Sequence, residues 1–195
     1  MPSLPELMLF DLDDTLIVSD LDLRALKREL FGRSDGPILE TIEGYPPDQQ
    51  PALHKKLLDI ELDRAKTARL NDGAAELLDL LEVCGIGRGI VTRNNSEVVE
   101  MVQKSIGVDF GVCICRDDAE PKPSPAPTLL ACERAGVTPE NTWLVGDYVF
   151  DIESGLAAGC FTIYLDVRGE PLPNEPHLRV AHLSEVTHRL RALAG

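Results

Sequence analysis

The chain has 195 residues, 44% hydrophobic and 27% charged, a balance that suits a globular protein with one sizeable core and a smaller insert. Its formal net charge of −14 argues against nucleic acid or an anionic membrane surface as a partner, because both are bound through basic patches. Residues 17–72 are close to neutral, with 11 acidic and 9 basic side chains, so most of the excess negative charge lies outside them.

Residues 1–6 form a short leader with two prolines. It lacks a basic start, and the apolar run after it breaks at Asp11, so no secretory signal is expected. Leu7 to Phe10 predicts a strand buried on both faces, as at the centre of a parallel sheet. The strand runs straight into Asp11, Leu12, Asp13, Asp14 and Thr15. Asp11 and Asp13 then stand at its carboxyl end, on one side of an extended segment, where open α/β sheets place their ligands. Two carboxylates that close repel unless a cation lies between them, which points to a divalent metal. The plainer alternative is a strand entering an acidic, solvated turn.

Beyond this stretch, Ser19 or Asp20 could cap a helix reaching about Phe31, with Gly32 and Gly36 stopping it. Pro37 suits the first turn of a short second helix ending near Gly44. After the turn at Tyr45, Pro46 and Pro47, a third helix is expected from about Asp48 to Arg69. Residues 17–72 thus read as a wholly helical insert, whose basic side chains are ordinarily solvated helix faces but could include a reader of an anion.

From Asn71 onward, helix and strand alternate. Helices are expected after Gly73, after Asn95 or Ser96, from Pro125 to Ala135, from Phe150 to Ala158, and after Ser184 as cap. Strands are expected at Gly89–Thr92, Val112–Cys115, Trp143–Gly146 and Phe161–Leu165. This order implies a parallel sheet with right-handed crossovers and helices on both faces. Gly85-Ile86-Gly87-Arg88-Gly89 precedes a strand where a dinucleotide loop would follow one, which excludes that reading. The stretch from Gly155 to Leu165 is too short to span a bilayer. Five cysteines (84, 113, 115, 132 and 160) form no metal-type pair and read as small core residues in a reducing cytosol. A cytoplasmic location is therefore expected.

Three polar clusters follow strand ends. Thr92, Arg93 and Asn94 offer a hydroxyl, a guanidinium and a helix amino terminus, which suits an anion or simply caps the helix. Lys122 sits between Pro121 and Pro123, where an ammonium could be aimed, though an exposed loop lysine is the default. Gly146 permits close approach ahead of Asp147 and Asp151, whose spacing of four puts them on one helical face. A helix start that merely favours carboxylates would look the same.

Together, in this order, the motifs Asp11-Leu12-Asp13-Asp14-Thr15, Thr92, Lys122 and Gly146-Asp147-Tyr148-Val149-Phe150-Asp151 resemble the haloacid dehalogenase-like hydrolase superfamily. The resemblance spans residues 7–165 and is closest to the phosphoglycolate-phosphatase-like phosphatases, whose helical cap is inserted between the first two motifs. It implies a Rossmann-like parallel core of residues 1–16 and 73–195, and an all-helical cap of residues 17–72. It also implies that Asp11 is the nucleophile and Asp13 the general acid/base. Thr92 and Lys122 would hold phosphoryl oxygens, helped by backbone N–H groups near Arg93 and Asn94. Mg²⁺ would be bound by Asp11, Asp13 through its carbonyl, Asp147 and Asp151. Asp14 stands where many members have glycine, but Asp tolerates unusual backbone angles.

The expected reaction is hydrolysis of a small phosphorylated metabolite through an aspartyl phosphate. Asp13 favours phosphate-ester chemistry, because the superfamily's dehalogenases, phosphonatases and ion-pumping ATPases characteristically lack it. A phosphoglucomutase-like phosphotransferase is the alternative enzyme, and a metal-binding interaction protein on the same scaffold the alternative outside catalysis. The sequence names neither the ester nor the oligomeric state.

Overall fold

The computed structural model describes residues 3–18, 23–167, 169 and 171–195. In chain order it runs β1 (Leu7–Phe10), β2 (Ile17–Val18), α1 (Leu23–Phe31), α2 (Ile38–Glu43), α3 (Gln50–Ala65), β3 (Arg69–Leu70) and α4 (Ala74–Cys84). Then follow β4 (Gly87–Val91), α5 (Ser96–Ile106), β5 (Val112–Ile114), α6 (Ala126–Ala135), β6 (Thr142–Gly146), α7 (Val149–Ala158), β7 (Phe161–Leu165), β8 (Leu178–Val180) and α8 (Leu183–Ala194).

Six strands form one sheet in the order β5-β4-β1-β6-β7-β8, and every pair in it is parallel. β1 is central, and all four of its residues are buried, as the unbroken apolar run predicts. Its side chains alternate between the faces. Met8 and Phe10 join a core with residues of α4, α5 and α8, while Leu7 and Leu9 join one with residues of α6. This is the α/β architecture expected, with helices on both faces.

Residues 17–70 leave and re-enter the core through a second, two-stranded sheet. Ile17 stands opposite Leu70 and Val18 opposite Arg69, antiparallel. Between these strands lie α1, α2 and α3, with a small core of their own: Leu26, Leu30, Leu39, Ile42 and Leu57. α3 also packs on α5.

The structure corrects the sequence reading of this insert in two ways. It is not wholly helical, because α3 ends at Ala65 in a tight turn and Arg69 lies in β3. The competing bonds are long-range: Arg69–Leu70 pairs with β2, and the Asn71 N–H donates to the Leu16 carbonyl at 2.8 Å. α3 begins at Gln50, two residues later than expected. The cap assigned to Ser19 or Asp20 lies outside the described residues. Near the carboxyl end, a short sixth strand, β8, was not foreseen. His182, not Ser184, holds the cap position of α8, where Glu185 accepts from the N–H groups of Ala181 and His182 at 2.8 and 3.1 Å.

Cys115, Cys132 and Cys160 are buried, Cys84 and Cys113 half-buried, and all five are free thiols. Among the described residues, no helix is long and apolar enough to cross a membrane.

Candidate active site

Parallel strands bring their carboxyl ends to one edge, and the polar clusters collect there. Asp11 follows β1, and its N–H donates to the Val145 carbonyl of β6 at 2.9 Å, continuing the ladder by one residue. After it the chain turns sharply. The N–H groups of Leu16 and Ile17 both donate to the Leu12 carbonyl at 3.0 Å, and Asp14 adopts φ +58°. That left-handed conformation is one Asp accepts more readily than most residues, as the sequence suggested.

Lys122 is the hub. Its ammonium donates to Asp11 Oδ1 at 2.6 Å, Asp151 Oδ1 at 2.5 Å and the Val91 carbonyl at 2.6 Å, with its side chain 1% exposed. Burial alone would pull its pKa down, but the two carboxylates outweigh that and hold it above the ordinary lysine range. Asp11 is raised well above the usual carboxylate value. Burial is the main cause; Lys122 opposes it, while Asp151, Asp147 and Asp13 add to it.

Asp151 lies in the first turn of α7 and accepts the Tyr148 N–H at 3.0 Å through Oδ2, so one carboxylate both caps the helix and faces Lys122. Asp147 Oδ1 accepts from the Thr15 hydroxyl at 3.2 Å. Asp11, Asp147 and Asp151 each offer an oxygen within 4.8 Å of the others. Three carboxylates around one ammonium leave an excess of negative charge, and hard oxygen donors of this kind suit a divalent cation such as Mg²⁺. The donor set therefore fits a metal ion.

Asp13, two residues after Asp11, accepts from Asn94 Nδ2 at 2.5 Å through Oδ2. The Thr92 hydroxyl accepts from the Asn94 N–H at 3.1 Å, which leaves its own proton to donate. Asp11, Asp13, Thr92, Asn94, Lys122, Asp147 and Asp151 thus line one pocket.

Arg93 lines it too, but its guanidinium is engaged elsewhere. It donates to the Lys122 carbonyl, to both Glu40 oxygens on α2 at 2.7 Å, and lies 4.9 Å over the Phe150 ring. The side chain ties the loop after β4 to the insert, a partner 53 residues away in sequence that local pattern could not reveal.

Four further residues escaped the sequence reading. Thr15 was quoted in its motif without a role. Arg116 stands two residues after β5, so the strand-end rule alone could have flagged it. It donates to both Glu61 oxygens on α3 at 3.1 Å, in a pair whose side chains are 13% and 11% exposed. Burial pushes Glu61 up to about 7, and Arg116 pulls against that shift. Nothing in the local sequence singles out Glu61 or Glu40.

The family model for haloacid dehalogenase-like hydrolases matches residues 8–165. A haloacid dehalogenase-like hydrolase domain-containing protein of Arabidopsis thaliana is 30% identical over 94% of this chain and 82% of its own length. The phosphoglycolate phosphatase of Salmonella paratyphi A is 33% identical over 73% of this chain, which spans 56% of that enzyme. In fold, the crystal structure of CbbY from Rhodobacter sphaeroides in complex with phosphate superposes with a TM-score of 0.77 at 20% identity, covering 94% of this chain and 96% of that one. The four motifs meet at one sheet edge, on the fold and within the matched span that the resemblance implied; the chain belongs to the haloacid dehalogenase-like hydrolases.

Proposed function

We propose that this chain is a Mg²⁺-dependent phosphatase that hydrolyses a small phosphomonoester through an aspartyl phosphate on Asp11. The observation that carries the reading is the buried Lys122 ammonium between Asp11 and Asp151, with Asp147 grouped with those two carboxylates and Asp13 two residues after Asp11. Asp11, Asp147 and Asp151 would hold the ion, with the Asp13 carbonyl as a further ligand. When bound, the ion supplies positive charge against the phosphate dianion and the nucleophile.

The residues of the chain then divide the work. One Asp11 oxygen attacks phosphorus in line, and the phosphorus–oxygen bond to the leaving alcohol breaks. Asp13, in its acid form, gives that oxygen a proton as it leaves. Asp13, now ionised, takes a proton from a water that attacks the phosphorus of the intermediate and restores Asp11. Lys122 offsets charge on the transferring group, and the Thr92 hydroxyl and nearby backbone N–H groups hold its oxygens. Residues 17–72 act as a cap over residues 1–16 and 73–195, excluding bulk water and meeting the leaving group. Their separate apolar core and two-stranded stem support that division.

Intact-mass measurement after acid quench, with an activated aryl phosphate, tests the mechanism. Asp11→Asn is expected to form no phosphoryl adduct. Asp13→Asn is expected to accumulate it and to turn over roughly 10²–10⁴-fold more slowly. An adduct on Asp11→Asn but not on Asp13→Asn would reverse the two assignments.

A further inference from the structure

The pocket above Asp11 has a volume of about 190 Å³ and two unlike halves. Its floor is the carboxylates and Lys122 already described. Its roof comes from the insert and is aliphatic: Leu26 of α1, Pro37 to Leu39 at the start of α2, and Leu57 of α3. Tyr148 and Phe150, edge to face at 5.1 Å, add an aromatic flank.

Two guanidinium groups reach the walls of this cavity, and each is held by a glutamate of the insert. Arg93 gives both oxygens of Glu40 a bond at 2.7 Å, and Arg116 gives both oxygens of Glu61 a bond at 3.1 Å. Arg93 uses one nitrogen for both oxygens, whereas Arg116 gives each Glu61 oxygen its own nitrogen, a fork that takes up its matching geometry and balances its charge. An anionic leaving group entering here would shed water against leucines and meet, near Arg116, a carboxylate already in place. Among the described residues lining the pocket, only Lys27 of α1 adds another cation to the roof side.

We infer that Glu61 is a specificity-determining residue: by occupying Arg116 it bars leaving groups that carry a carboxylate or phosphate, and selects monophosphates of uncharged alcohols with an apolar body. This rests on the phosphatase reading above, and it assigns the substrate class that the reading left open. Glu61 touches neither phosphorus nor the nucleophile in this role; it sets which alcohol the pocket accepts.

The test compares kcat/KM for propyl phosphate and phosphoglycolate at pH 8, where Glu61 is mostly ionised. The ratio between variants cancels the intrinsic reactivity of the two esters. Wild type is expected to favour propyl phosphate at least tenfold. Glu61→Gln uncovers the Arg116 charge and is expected to shift the ratio toward phosphoglycolate by about 10–100-fold, the worth of a charged hydrogen bond. The double variant Glu61→Gln/Arg116→Gln keeps a neutral hydrogen-bonded pair and is expected to return to the wild-type ratio; it also serves if the single variant does not fold.

An unchanged ratio in folded, active Glu61→Gln would overturn the assignment. So would a double variant that loses activity on phosphoglycolate alone, because Arg116 would then be reading the carboxylate in the wild type. A wild type that favours phosphoglycolate and loses that preference in Lys27→Gln would move the reader to Lys27 and overturn it equally. Failure of wild type to hydrolyse either ester, or any aryl phosphate, with Mg²⁺ present would sink the phosphatase reading itself, and this inference with it.

Discussion

Asp151 is held from three sides, and Gly146 is the side that cannot give. A β-carbon at residue 146 would collide with the Asp151 side chain, whose two oxygens are fixed by Lys122 and the Tyr148 N–H. Gly146→Ala is therefore expected to displace that carboxylate, costing ~1–3 kcal/mol of stability for the forced shift. It should also cut kcat/KM by more than tenfold, since a small misplacement of a positioning group is felt in the reaction. Thermal melts and aryl phosphate kinetics on one preparation check both. Wild-type values in both would show that Asp151 has room to move. Glu61 carries a different prediction. Its carboxyl, 4.5 in the unfolded chain, is raised to about 7 by burial, so the folded protein binds the proton more tightly. Stability from this group is full below about pH 4.5 and is lost as pH rises through about 7, by roughly 3 kcal/mol. Glu61→Gln removes that slope. Its Tm relative to wild type should accordingly improve between pH 5 and pH 8, and a constant difference would contradict the shift.

At the scale of elements, the insert is the part whose role can be separated. Its three described helices share a core apart from those of the main sheet, and they meet the loops after β4 and β5 through Glu40–Arg93 and Glu61–Arg116. Replacing residues 19–68 by a short Gly-Ser linker is expected to leave hydrolysis of a small aryl phosphate measurable while erasing preference among natural esters. Unchanged preference, measured as kcat/KM ratios, would place selectivity in the core. The elements of that core, β8 apart, were legible from the chain, because strands buried on both faces read as apolar runs and the polar clusters fall just after them. Asp14 and Gly146 were legible too, each through a backbone demand only certain residues meet. The stem was not: strands of two residues carry no period, and their partners lie some fifty positions away. Nor could a loop sequence say which way Arg93 points. It was read as an anion ligand, yet its guanidinium bridges Glu40, the Lys122 carbonyl and Phe150. Pairs such as Glu61–Arg116 exist only once the insert has docked.

For the whole molecule, the net charge of −14 matters most where it is concentrated. Asp11, Asp147 and Asp151 converge at the carboxyl edge of the sheet with one buried ammonium among them, and their mutual repulsion opposes folding. Saturating Mg²⁺, at about 100 times its dissociation constant, should stabilise the fold by ~2.7 kcal/mol, or a Tm rise of roughly 5–10 °C for a chain of this size. Thermal scans in MgCl₂ against chelator at matched ionic strength measure this without turnover, and Asp147→Asn should shrink the rise. Equal melting with and without the ion would leave the carboxylates with no metal to hold. The stem has a different reach. Because Ile17 and Leu70 stand opposite each other, the ends of everything between them are held about 5 Å apart. Asn71 fastens that junction to the turn after Asp11 through the carbonyls of Asp14 and Thr15, at 3.2 and 3.0 Å. The turn is anchored from just beyond the stem, so the core presents a socket: any module whose two ends meet at one strand spacing can be plugged in. One scaffold can thereby trade specificities as whole cassettes, while the carboxylates proposed as catalytic stay where they are.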